Sequence, residues 1–260
     1  MSATVVDARA GRRERAHWLP RQHGAWAMLA VPCVLGIAAS RPSSWQAVLA
    51  VTAVSGYLAS SAALDWTRAR RSAYLAPAAT FGALFLASGG LLLLAFPALA
   101  AVAAVVAVAA AATLGVTLAG HPRSLVASLA QAAEAIVLVP AAAVVAGPVA
   151  WPAVARATLV AGLYLVGAIL VVRSMIRERG NRGFVVVSIG YHTGAVALAA
   201  WVLPGVYAAL ALGLLLRAAV LPLLQARLHG GPRRLRPIHL GLVEIAASAA
   251  IVLAAFLVRP

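Results

Sequence analysis

Lysine is absent from this 260-residue chain, acids number only six, and there is a single cysteine. Each scarcity closes something off. One thiol, Cys33, cannot form an internal disulfide, and its apolar run reads as packing. A charged share of 10% against 63% hydrophobic residues excludes a soluble globule, which is closer to a quarter charged and half apolar. No zinc signature, P-loop or hydrolase elbow is present. With so few acids, the 21 arginines leave a formal charge of +15. In a soluble protein that balance points to nucleic acid. With this apolar bulk the expected partners are anionic lipid headgroups, and no nucleic acid. The arginine-only, alanine-rich usage fits a GC-rich bacterial genome, so the choice of Arg over Lys carries little information.

What the chain does have is long apolar runs. Cut at charges and at Pro/Gly clusters, they fall at 24–40, 45–64, 75–95, 98–119, 124–146, 153–173, 184–203, 205–223 and 239–257. A span takes about 20 residues, and lipid offers the backbone no partners, so such runs are helices rather than barrel strands. The expectation is an all-α membrane bundle of about nine transmembrane helices, with Ala, Gly and Val permitting close approach. Residues 1–19 carry Arg9, Arg12, Arg13 and Arg15 and read as a disordered basic cytoplasmic tail. No short apolar region with a small-residue cleavage site follows, which argues against a signal peptide. Residues 20–260 read as one transmembrane domain.

If the spans alternate, the tail, 65–74, 120–123, 174–183 and 224–238 share one side. With Arg173 and Arg217 counted at their nearest ends, that side holds 18 of the 21 arginines, leaving Arg41, Arg156 and Arg259 opposite. The positive-inside rule then puts the N-terminus in the cytoplasm and the C-terminus outside, in a bacterial inner membrane. The long polar inner loops, held on a rigid scaffold, are where binding groups are expected.

The candidate residues cluster there. Pro20-Arg21-Gln22-His23-Gly24-Ala25-Trp26 reads equally as a plain helix start or as an anion-binding boundary. Asp65-Trp66, followed by Arg68, Arg70 and Arg71, is either an ion pair with an interface Trp or a carboxylate associated with metal or phosphate. Glu134, ten residues into the fifth run beside Gln131, is a costly intramembrane acid and so a functional candidate facing a cavity. In Arg173-Ser-Met-Ile-Arg177-Glu178-Arg179-Gly180-Asn181-Arg182, Arg173 and Arg177 share a helix face. Guanidiniums converging there suit phosphate or carboxylate; plain positive-inside topology explains some of them too. Tyr191-His192 lies about two turns into the seventh run, where a lone histidine is more often packing than a proton carrier. Glu244 follows His239 at the ninth run and has His239 or an inner arginine as possible partner.

PRQHGAWAM, DWTRARR, RSMIRERGN, YH and RPIHLGLVE, in that order over about residues 20–257, resemble the YwiC-like family of bacterial membrane proteins. A more distant similarity is to the UbiA-type membrane prenyltransferases. That resemblance implies nine helices, an N-in topology and a lipid-open active site in the cytoplasmic loops after helices two and six. Arg21, Gly24 and Pro32 look like the entry motif of those enzymes, and His121-Pro122-Arg123 with Gln131 like their segment before helix five. The two Asp-rich motifs that hold magnesium there are reduced to Asp65 and to arginines around Glu178. One carboxylate per loop is thin for magnesium.

Two functions are carried forward from these readings. In the first, a cytoplasmic-side, lipid-open cavity binds an anionic amphiphile, an isoprenoid or lipid phosphate, and supports a prenyltransferase-like reaction. Arg173, Arg177 and Arg179 grip the head, and Asp65, Glu134 and Glu178 serve as catalytic, counter-ion or metal groups. Arg21, Gln22, His23, Arg68, Arg71, Gln131, Asn181, Tyr191, His192, His239 and Glu244 complete the expected ligand-binding set. In the second, a small transporter or accessory protein uses Glu134 and His192 in a proton or substrate path. The absence of a visible inverted repeat weighs against that design.

Overall fold

A computed structural model describes residue 18, residues 23–228 and residues 237–258, with backbone alone at 23–25 and 237. The 1–19 tail apart from Trp18, Arg21, Gln22 and the side chain of His23 lie outside the described residues. Ten helices follow in order: α1 His23–Ala38, α2 Ser44–Ala69, α3 Leu75–Ala95, α4 Ala100–Leu118, α5 Leu125–Ile136, α6 Leu138–Val144, α7 Trp151–Ile176, α8 Arg182–Val202, α9 Gly205–Arg227 and α10 Pro237–Leu257. Among the described residues eight segments, counting α5 with α6 as one, are long and apolar enough to cross a membrane, and Trp26–Ala38 is a shorter apolar helix. The all-α membrane bundle expected from the runs is borne out. Leu94 at 85% and Trp201 at 84% exposure are typical of the outward faces, which need lipid rather than water around them.

Three helices overrun their predicted ends. α2 continues to Ala69, α7 to Ile176 and α9 to Arg227, where the apolar runs stop at 64, 173 and 223. A charged side chain does not end a helix. Cations in the last turn interact favourably with the helix dipole, and long arginine stems stay in apolar surroundings while the head reaches out. Actual starts and stops come from backbone chemistry. Ser43 and Gln46 cap α2 reciprocally, Ser124 caps α5 through the Ala127 amide, and Asn181 caps α8 through Phe184. Arg70 closes α2 in the left-handed region at φ 52°.

The fifth span breaks at Val137, between α5 and α6. Pro140 lies three residues beyond and has no amide hydrogen to give the Ile136 carbonyl, so a regular helix cannot run through. α6 then presses on α1. A Cβ on Gly36 would lie 2.7 Å from the Ala142 Cβ and 2.8 Å from the Val139 carbonyl oxygen, so only glycine permits this approach. Around that contact Val31, Leu35, Ala132, Val139, Val160, Tyr164 and Leu165 form the main core. α7 is its axis: half of its apolar stretch is buried, against 11% for the segment containing α3.

Cross-helix contacts fix which helix ends lie together. At one end Ser43 Oγ donates to the Val145 carbonyl, and Trp45 meets the Phe96 ring edge-on at 5.3 Å. At the other, the 119–124 turn meets the end of α7, and Gln225 near the end of α9 donates to the Met175 carbonyl. The second is the basic end.

Candidate functional site

The basic site is built on a backbone oxygen. The turn before α5 ends at Arg123, whose carbonyl points at the last turn of α7. Arg173 Nη1 and Arg177 Nη1 both donate to it, at 3.0 and 2.9 Å. The two side chains reach it together because four residues separate them on one helix face. The Arg177 amide still closes on the Arg173 carbonyl, so the helix geometry extends to both. Arg173 Nε lies 3.4 Å from Glu178 Oε1, while Glu178 Oε2 accepts from Asn181 Nδ2 at 3.0 Å. Three guanidiniums, those of Arg123, Arg173 and Arg177, thus share a neighbourhood with one carboxylate. The Arg177 guanidinium is held below its usual range, first by burial and then by the charges of Arg173 and Arg123. Cations that disfavour one another's charge are relieved by an anion.

Other predicted members have different employments. Arg179 Nε turns back to the Met175 carbonyl at 3.3 Å, capping α7. Asn181 caps α8 and steadies Glu178. Asp65 pairs at 3.5 Å with Arg68 on its own helix, both about half exposed, and Arg71 is exposed. Exposed pairs of this kind contribute little, and the contacts of the Arg173 group run to the 119–124 turn rather than to α2. Gln131 is exposed and Glu134 half-buried, one turn before the break. His239 is exposed in the first turn of α10. Among the described residues no three of His, Cys, Asp and Glu gather to hold a metal ion. Asp65 and Glu178, each tied to its own arginine, do not fit a magnesium site.

A second polar group lies inside the bundle. Arg217 of α9, 8% exposed, pairs with Glu244 of α10 through Nη1 and Oε1 at 2.6 Å. Glu244 therefore has the inner arginine, not His239, as its ion partner. Tyr164 of α7 meets Ser248 Oγ at 2.6 Å and donates to the Glu244 carbonyl at 3.2 Å. On α8, His192 is 2% exposed and its Nδ1 lies 2.7 Å from the Ser188 carbonyl. A carbonyl only accepts, so Nδ1 carries the proton. Nε2 faces Gly167 of α7, where a Cβ would come within 2.8 Å of it. Tyr191 also packs on α7, donating to the Leu163 carbonyl at 3.2 Å. Counted at 1.5 Å per residue, Arg217 and His192 lie about 15 Å from the basic ends of their helices, near the middle of a ~30 Å core.

An open groove of about 600 Å³ runs along α7, with Pro140, Trp151, Thr158, Gly162, Val166 and Tyr191 among its lining residues. It occupies the half of α7 farther from Arg173, whereas the sequence places the cavity at the basic end. The walls are almost wholly apolar. On α7 the positions 151, 155, 158, 162 and 166 recur at helical spacing, and 169, 173 and 177 continue the same stripe. Arg173 and Arg177 therefore stand on the face that the groove follows.

Sequence reasoning named Arg123 only within the His121-Pro122-Arg123 resemblance, passed over Gln225 and counted Arg217 only for topology. The first contributes its carbonyl, which no residue type advertises. Arg217 is read as a topology signal, although its distance from the end of α9 marks it as interior.

Fold and composition together define a multi-pass helical membrane protein with one basic end. Residues 19–143, from the entry of α1 almost to the end of α6, are similar to the family model described as YwiC-like protein. RSMIRERGN, YH and RPIHLGLVE lie beyond the matched stretch. No curated protein and no solved structure matches the chain.

Proposed function

We propose that this membrane protein binds an anionic amphiphile, with a phosphate-bearing head at Arg123, Arg173 and Arg177 and an apolar tail along the α7 groove. One observation carries the reading. Arg173 and Arg177 converge on a single carbonyl beside one carboxylate, on the same α7 stripe that lines the groove. A guanidinium offers five donors and each of these spends one on Arg123, so several N–H groups stay available for phosphate oxygens. The basic end is the cytoplasmic one in this reading, by the arginine asymmetry. A prenyltransferase-like reaction has less behind it, since Asp65 and Glu178 sit in separate ion pairs; the reading is binding of the head and tail.

The test is what travels with the protein. Lipid extraction and mass spectrometry of the purified full chain should find a phosphate-bearing amphiphile at near-stoichiometric amount. The Arg173→Ala/Arg177→Ala double variant should lose it, and Arg68→Ala/Arg71→Ala should retain it. Equal recovery from all three proteins overturns the headgroup assignment.

A further inference from the structure

The interior pair on α9 and α10 is unusual in what it leaves unused. Arg217 gives Nη1 to Glu244, yet its Nε and Nη2 are buried without a hydrogen-bond partner among the described residues, as are Glu244 Oε2, His192 Nε2 and Ser188 Oγ. Nε and Nη2 lie on the same side of the guanidinium and form one of its two-pronged edges, the geometry that takes both oxygens of a carboxylate or two of a phosphate. A charge within the membrane is costly, and an unmet donor on it costs more. A pair serving only to hold α9 to α10 would not need the second edge.

We infer that Arg217 is the anchor of a second binding site, enclosed by α7, α8, α9 and α10, for a small oxyanion. Arg217 Nε and Nη2 hold two oxygens of the anion. Glu244 keeps the guanidinium oriented from its other side, and Tyr164 fixes the α10 backbone there through the Glu244 carbonyl and Ser248. Glu244 Oε2 is an acceptor, so it favours an anion that also carries a hydroxyl or other donor. The atoms are sealed in this conformation, so the site is occluded and loads when these helices part. The site is separate from the basic end: Arg217 is eight residues, or about 12 Å of helix, deeper than Gln225.

Acetate and inorganic phosphate are the probes, titrated at constant ionic strength against thermal unfolding of the full chain in neutral-lipid nanodiscs. The Arg173→Ala/Arg177→Ala background removes the headgroup site, so failure of that reading and of this one are told apart. In that background a saturable stabilisation beyond chloride is expected from one of the two anions; which anion gives it separates carboxylate from phosphate. Arg217→Lys keeps a cation opposite Glu244 but has no fork, and should weaken the apparent Kd at least about tenfold, the loss expected for one charge-assisted hydrogen bond. If Arg217→Lys does not fold, Glu244→Gln decides, because removing the competing negative charge should tighten binding severalfold. No saturable response in the background protein, an unchanged Kd in Arg217→Lys, or binding no tighter in Glu244→Gln each overturns the site.

Discussion

Gly36→Ala adds one methyl group at the tightest interhelical contact of the core, between α1 and α6. The new Cβ would stand 2.7 Å from the Ala142 Cβ, 2.8 Å from the Val139 carbonyl oxygen and 3.1 Å from the Val139 Cα. Carbon atoms are comfortable at about 3.5–4.0 Å, so roughly 1 Å must be found. Two of the three neighbours are backbone, which cannot rotate away. α1 or α6 has to withdraw, and withdrawal loosens Val31, Leu35 and Val139, which are 0–3% exposed. Overpacking of this kind costs about 1–3 kcal/mol. Alanine recovers about 0.5–1 kcal/mol of helix preference over glycine, so the net loss is at most about 2.5 kcal/mol and the overpacking cost shows in full only against a glycine-to-alanine control. Gly90→Ala is the matched control, in α3 with nothing within 4 Å of its Cβ, and should be neutral or slightly stabilising. Reversible unfolding in mixed micelles, followed by circular dichroism, compares the two directly. A Gly36→Ala protein as stable as Gly90→Ala would refute the close-approach argument.

The buried pair makes a double-mutant prediction. Arg217→Met alone strands a carboxylate that is 15% exposed and should cost about 3–5 kcal/mol, while Arg217→Met/Glu244→Met should cost less than that single change; unfolding free energies that simply add would contradict the pairing. Tyr164→Phe should lose about 1–2 kcal/mol for its two hydrogen bonds, and Ser248→Ala should add little on top of it, which a thermodynamic cycle over the two variants checks. For orientation, single cysteines at the exposed His121 and Ala150 in a Cys33→Ser background should react with a membrane-impermeant maleimide from opposite sides, His121→Cys only once the cytoplasmic face is opened. Labelling of both from the same side is the adverse result.

The bundle was legible because lipid imposes length and hydropathy on every span, and no tertiary knowledge is needed to count them. Helix ends were less so: Asp65 and Arg68 look like loop residues in a hydropathy reading but sit in the final turns of α2. The break at Val137 needed the position of Pro140 to be read against the Ile136 carbonyl. At the basic end, the four-residue spacing of Arg173 and Arg177 announced a shared face, whereas their common acceptor is a main-chain oxygen invisible in the sequence. Arg179 and Asn181, whose chemistry suits a ligand, also cap the end of α7 and the start of α8, a use the same donors and acceptors serve equally well. In the interior, the depth of His192 was evident, but its reason for tolerance was not: Gly167, on a different helix, leaves the space that the imidazole occupies.

The central claim is that one face of α7 holds an anionic head at Arg173 and Arg177 and carries the tail along its groove. The most direct measurement uses a phosphate-headed lipid bearing a photoactivatable diazirine in its tail, reconstituted with the full chain and mapped by mass spectrometry after illumination. The account predicts adducts concentrated on the groove stripe, at Thr158, Gly162, Val166 and Tyr191, and their disappearance in Arg173→Ala/Arg177→Ala. Adducts spread evenly over outward positions such as Leu94 and Val187, or a groove pattern unchanged by the double variant, would contradict it.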